Sequence, residues 1–254
     1  MIKKFGKAKI ITAANVFAHI SNPKKLVKLI SNLLENNGFF ISESHYLPSL
    51  VETLQYDTIY HEHLRYYHLD VFHKLFENTD LKIVNAKKIP THGGSIRVFA
   101  QKTSNNKIKV NKIVNKIIEK ERSNGICNGS AFSSFKEKII KSKLDLLSLI
   151  SKIKKPSTKI YGIGAPSRAS TLISYTGIDD GILDCVLELK NSHKLNKFMP
   201  GTKIPILDEQ KLFSDQPDYA LLLSWHISKN LIKNLKKKGY KGKFIIPLPT
   251  PKIV

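Results

Sequence analysis

Lys9 to Glu43 reads as a strand, a helix and a second strand, and that order in so short a stretch leaves few folds open. Lys9-Ile10-Ile11-Thr12-Ala13-Ala14 is a short apolar run of the kind found in buried parallel strands. Asn22-Pro23 marks a helix start, with asparagine as N-cap and proline in the first turn. Leu26, Leu29, Ile30, Leu33 and Leu34 then recur at the spacing of one helical face. Gly38 is expected to supply a left-handed C-terminal cap before the strand Phe39 to Glu43. Two strands joined by a helix pair in parallel through a right-handed crossover, which predicts a doubly wound α/β domain. Such sheets bind ligands beyond the carboxyl ends of their strands, and Asn15 to His19 and Glu43 to Tyr46 both fall there.

Further along, His68 to Asn78 reads as a helix with Val71, Phe72, Leu75 and Phe76 inward. Leu81 to Ile89 and Ser95 to Gln101 read as antiparallel strands closing the sheet. Between them, Gly93 and Gly94 allow either a sharp turn or a close backbone approach to a ligand. Lys107 to Lys155 reads as two lysine-rich amphipathic helices broken at Gly125 to Gly129. A second α/β domain begins at Thr158. Its first strand, Lys159-Ile160-Tyr161, runs through Gly162-Ile163-Gly164-Ala165-Pro166-Ser167-Arg168 into a helix. A glycine turn at a helix start can present backbone N–H groups to an anion, or can simply be a tight turn. Arg168 favours the anion, because guanidinium suits phosphate oxygens. Strands are expected at Leu183 to Leu189, Tyr219 to Leu223 and Lys243 to Ile246, with a helix near Ile227 to Lys238. The expected domains are therefore residues 1–105, a helical connector at 106–156, and 157–254.

The net charge of +22 comes from 42 basic against 20 acidic residues, yet only Arg65, Arg97, Arg122 and Arg168 are arginines. The lysines are spread along the whole chain, without the arginine-rich stripe and interleaved aromatics of a nucleic-acid interface. They read as a solvated surface. No run reaches the roughly 18 apolar residues of a membrane span. Cys127 and Cys185 stand alone, so neither a disulfide framework nor a metal site is encoded, and a reducing cytoplasm fits best.

The densest chemistry lies between Asp57 and Tyr67. It holds His61 and His63, Asp57 and Glu62, Arg65, and the phenols of Tyr60, Tyr66 and Tyr67. A phenol, a carboxylate and an imidazole within four residues can act as general base, its orienter and an enolate stabiliser. A polar aromatic loop is the competing reading. His45, His73 and His226 read as structural or surface histidines, and Trp225 as packing of the second domain.

Taken in order, NVFAH, DTIYHEH, THGGSIRV, GAPSRAST, MPGTKIPI, PDYALLLSWH and PLPTPKIV resemble the sugar C-methyltransferases that act on deoxysugar nucleotides, from about Lys9 to the C-terminus. The resemblance implies part of a class I S-adenosylmethionine-dependent methyltransferase domain, Rossmann-like, followed by a C-terminal Rossmann-like domain that binds a nucleotide-diphosphate sugar. It implies His63 as the base that deprotonates a sugar carbon beside a keto group, with Tyr60 and Glu62 assisting and His19 facing the substrate. Asn15 and Val16 would line the methionine end of the methyl donor. His92, Gly93, Ser95 and Arg97 would shape the sugar-nucleotide cleft, and Gly164, Ala165, Pro166, Arg168 and Ser170 would hold the diphosphate or its nucleoside. This chain departs from the family in carrying Arg168, Ala169 and Ser170 where many relatives have Lys, Gly and Asn. The donor-gripping acidic and glycine-rich loop does not occur before Lys9, and the cysteines of the family's zinc domain are absent. The chain thus reads as the C-terminal portion of a longer enzyme, a truncation or one half completed by a separate chain. The alternative is a non-catalytic nucleotide-sugar-binding subunit.

Overall fold

The computed structural model describes residues 2–103 and 109–254, which cluster into two units: Met1–Glu52 with His61–Ser134, and Thr53–Tyr60 with Phe135–Val254. Residues 104–105 of the first expected domain and 106–108 of the expected connector lie outside the described residues.

The first unit starts with the single turn α1 (Ile2–Phe5) and β1 (Ala8–Ala14), followed by a 3-10 turn at Phe17–His19. Helix α2 (Pro23–Leu33) crosses to β2 (Leu34–His45), which pairs with β1 in parallel, Ile11 opposite Phe40. After α3 (Leu47–Glu52) and α4 (Leu69–Phe76), β3 (Leu81–Ile89) and β4 (Ser95–Lys102) complete an antiparallel half, giving the order β1-β2-β4-β3. Helix α5 (Ile113–Ser123) adds Val114, Ile117 and Ile118 to a core built on Phe17, Val27, Ile30, Phe40, Phe72 and Val98. Apolar side chains from one sheet face and three helices exclude water together, which is the main term holding such a layer.

Three local expectations shift. The Asn22 cap is present, its Oδ1 accepting the N–H of Lys25 at 3.0 Å. Of the expected face, Ile30 and Leu34 are buried and Leu26 and Leu33 partly so, but Leu29 is 55% exposed and Pro23 and Val27 are buried in addition. Gly38 caps nothing: it lies inside β2, which begins at Leu34. A Cβ there would meet Leu34 Cδ2 at 2.9 Å and the carbonyls of Ala8 and Lys9 at 3.0 Å. Close approach of β1, not a left-handed turn, is what requires glycine. And β1, read as buried, is an edge strand with Ile10 62% exposed, its outer side unpaired among the described residues.

The second unit includes most of α6 (Ala131–Ile153), from Phe135 on. It runs β5 (Ile160–Ile163), α7 (Ser167–Thr176), β6 (Cys185–Glu188), β7 (Ile206–Asp208), α8 (Gln210–Asp215), β8 (Tyr219–Leu222), α9 (Ser228–Lys237), β9 (Lys243–Ile246) and β10 (Lys252–Ile253). The sheet order is β10-β9-β8-β5-β6-β7, parallel except for β10. Read from the other edge, this is the 3-2-1-4-5-6 order of the Rossmann-like doubly wound fold. Gly162 is required where β5 passes β6, since a Cβ would meet Val186 Cγ2 at 2.9 Å. Strands β7 and β10 are too short for alternation to announce them.

Candidate functional site

In the first unit the carboxyl ends of β1 and β2 are joined by a polar network. Asn15 leaves β1 in the left-handed region, φ 55°, and its N–H donates to the Glu43 carbonyl at 2.8 Å. His92 is also left-handed, φ 53°, and its Nε2 accepts from Asn15 Nδ2 at 3.2 Å. Two non-glycine residues in this region each cost about 1 kcal/mol or more, a strain that collects at ligand sites. Glu43 sits directly opposite Arg97 in the β2–β4 ladder. Its Oε2 accepts Arg97 Nη2 at 2.8 Å and Nε at 3.2 Å, and its Oε1 accepts the Thr91 hydroxyl at 3.0 Å. Burial alone would raise this carboxyl, but the hydrogen bonds from Arg97 and Thr91 outweigh it and hold Glu43 below the usual carboxylate range.

The glycine turn between β3 and β4 is sterically specified. A Cβ on Gly94, φ 126°, would meet Ser49 Cβ at 2.5 Å. Buried Ser95 closes the turn by donating its hydroxyl to the Thr91 carbonyl at 3.0 Å. Of the residues expected to form a sugar-nucleotide cleft, His92 and Arg97 thus join the network with Asn15, whereas Ser95 shapes the backbone beneath it.

The segment after His61 is stitched along the Phe17–His19 turn. The Leu64 N–H donates to the Ala18 carbonyl at 2.8 Å, and Arg65 donates to the carbonyls of Ile20 and Ser21 at 2.7 and 2.9 Å. The buried Tyr67 hydroxyl reaches the Phe17 carbonyl at 3.2 Å. This places the exposed His19 ring against the half-buried His63, with centroids 5.1 Å apart and planes at 61°. His19 Nδ1 donates to the Glu62 carbonyl at 2.9 Å, which in the neutral ring leaves Nε2 as the acceptor nitrogen. His63 also meets the Tyr66 ring at 6.1 Å. Val16, 37% exposed, follows Asn15 at the end of β1. Tyr60 clusters with the second unit, one residue before the chain returns to the first.

In the second unit the glycine turn is engaged within the fold. The Gly164 N–H donates to the Leu187 carbonyl at 2.8 Å and the Ala165 N–H to Glu188 Oε2 at 2.7 Å, while Lys194 Nζ donates to the Ala165 carbonyl at 2.5 Å. Pro166 has no N–H to offer, and Ser170 is half-buried on α7. Arg168, expected to face a diphosphate, is buried and turned onto Asp57 instead.

One acidic residue that the sequence did not single out proves central. It is Glu121: its carboxylate accepts the Tyr46 hydroxyl at 2.8 Å, the N–H groups of Leu69 and Asp70 at 2.8 and 3.0 Å, and contacts His68 Nδ1 at 3.1 Å. It therefore caps α4 from a distance, where His68 makes no cap bond itself. Cys127 Sγ lies 4.0 Å from His68 Nδ1. Burial and the neighbouring Asp70 and Glu121 carboxylates push that thiol up.

Residues 90–249 match the family model described as C-methyltransferase C-terminal domain, and residues 2–86 match a methyltransferase domain. C-methyltransferase NovU of Streptomyces niveus is 30% identical over 252 residues, covering 99% of this chain and 60% of that protein. Among the described residues no helix is long and apolar enough to cross a membrane.

Proposed function

This chain belongs to the C-methyltransferase family, and on that premise we propose that it takes part in transferring a methyl group from S-adenosylmethionine to a carbon of a nucleotide-linked keto-deoxysugar. The observation that carries the reading is the pairing of His19 with His63 beside the end of β1. His63 is the base: it removes the proton from the carbon next to the keto group, whose electron pair becomes the nucleophile. Glu62 supports this through its carbonyl, which orients His19, and Tyr60, adjoining the tract in sequence, assists. His19 faces the substrate with Nε2. When bound, the donor supplies an electrophilic methyl group and needs in-line positioning rather than further activation.

The residues present fit one flank of that donor. Asn15 offers an amide and Val16 an exposed apolar surface at a strand end where open α/β sheets bind ligands. His92, Gly93, Ser95 and Arg97 form the sugar side, with Glu43 holding the Arg97 fork in place. We assign the reaction to the cytoplasm, in keeping with two free cysteines.

The second reading, a nucleotide-sugar-binding subunit completed by a separate chain, is favoured by the open edge of β1. An exposed parallel edge carrying a largely exposed isoleucine is the kind of surface that takes up another strand. The chain spans 60% of the length of the curated relative it matches. Calorimetric titration with S-adenosylmethionine separates the two readings. Micromolar binding by the chain alone supports the complete enzyme. No binding, in a sample that takes up a thymidine-diphosphate sugar, supports the partner.

A further inference from the structure

Residues 53–60 cluster with the second unit, and Asp57 is the reason. It is fully buried, and an isolated carboxylate in that position would be very unfavourable. Arg168 answers it with a two-point pair, Nη2 to Oδ1 at 2.7 Å and Nε to Oδ2 at 2.8 Å. The Trp225 indole N–H adds a third bond to Oδ2 at 2.7 Å, and the Arg168 guanidinium lies over the indole ring, 4.9 Å from its centroid. The flanking residues are held as well. Tyr56 packs its ring edge-on to Tyr175 at 5.2 Å, and the Thr171 hydroxyl donates to the Ile59 carbonyl at 3.1 Å. Three of these partners, Arg168, Thr171 and Tyr175, come from one helix, α7.

We propose that Arg168 and Trp225 are positioning residues: through Asp57 they anchor the segment that ends at Tyr60 and so set the phenol that heads the tract Tyr60-His61-Glu62-His63. Arg168 is then no phosphate ligand. The residue is 7% exposed, two of its nitrogens face Asp57 and its guanidinium lies over the indole, so a diphosphate would have to displace a buried carboxylate. The sequence logic follows. Asp57 opens the tract because the tract needs an anchor at one end, and arginine rather than lysine is required because only the planar fork can pair at two points and stack at once. Small displacements of a reacting group cost about 100-fold in rate. The proposal rests on the reading of this tract as the reactive one.

Trp225 is the sole tryptophan of the chain, so its fluorescence reports the anchor directly. The experiment compares the full chain with Asp57→Asn, Arg168→Lys, Trp225→Phe and His63→Ala. It measures iodide quenching of Trp225, affinity for thymidine diphosphate, and proton exchange into a thymidine-diphosphate-linked keto-deoxysugar. Asp57→Asn and Arg168→Lys are expected to raise quenching at least twofold and to slow exchange about 10- to 100-fold, with thymidine-diphosphate affinity changed less than threefold. Trp225→Phe, which keeps the packing and loses one N–H, is expected to slow exchange less. Unchanged quenching, or raised quenching with unchanged exchange, overturns the proposal. So does a tenfold loss of thymidine-diphosphate affinity in Arg168→Lys alone, which would make Arg168 the phosphate ligand. Exchange that survives His63→Ala removes the reading of the tract as reactive, and the quenching data then still report whether the anchor exists.

Discussion

Glu43 and Arg97 form a two-point ion pair across the β2–β4 ladder, and the same carboxylate takes the Thr91 hydroxyl at the start of the glycine turn. Because hydrogen bonds from Arg97 and Thr91 hold the folded carboxyl below its usual range, the pair contributes stability at neutral pH. That contribution is present above the unfolded carboxyl's pKa and is lost as pH falls through the depressed folded one. Glu43→Gln is expected to flatten the acid limb of the stability–pH curve and to raise KM for the sugar nucleotide several-fold with a smaller change in kcat. An acid limb identical to wild type would show that the pair is not thermodynamically coupled to folding.

Glu121 should matter more to folding than its place on a lysine-rich helix suggests. Removing it leaves the Tyr46 hydroxyl and the first N–H groups of α4 buried without their acceptor. Each such loss costs about 1–3 kcal/mol, and partial relaxation makes a total of about 3–5 kcal/mol reasonable for Glu121→Ala. Urea denaturation gives the number. A cost under about 1 kcal/mol would mean that water replaces the carboxylate freely.

Gly38→Ala is expected to destabilise the first unit by about 1–3 kcal/mol, since the added methyl meets Leu34 and two β1 carbonyls inside contact distance. Thermal unfolding of the variant measures it. An unchanged or higher melting temperature would mean that β1 can move away at no cost.

The two cysteines should separate cleanly in alkylation at pH 8. Burial pushes the Cys185 thiol up to about 12, so it should label only after denaturation. Cys127 is exposed, but burial of its sulfur and two acidic neighbours raise it too, so it should label slower than a free thiol. Two fast equivalents in the native protein would contradict both assignments.

What the sequence made legible follows from which signals are local. The strand–helix–strand unit, the antiparallel β3–β4 pair and the strand–turn–helix at Gly162 were readable because hydrophobic period, caps and glycine turns are set by near neighbours. The partners of charged groups were not. Arg168 reads as a phosphate ligand by its place after a glycine turn, yet its partner Asp57 is 111 residues away. Glu121 reads as one more polar helix residue, yet it caps a helix 52 residues earlier. Gly38 illustrates the same limit: beside a helix end it suggests a cap, and only the pairing of β1 with β2 reveals the close approach.

The central claim is that His63 removes a proton from a carbon beside a keto group, a step that needs no methyl donor. The most direct measurement is incorporation of solvent deuterium at that carbon of a thymidine-diphosphate-linked keto-deoxysugar, followed by NMR in deuterated buffer without S-adenosylmethionine. Catalysed exchange in the wild type, reduced at least 100-fold in His63→Ala with sugar-nucleotide binding retained, is the expected result. Exchange of equal rate in the two proteins would contradict the assignment of His63 as the base.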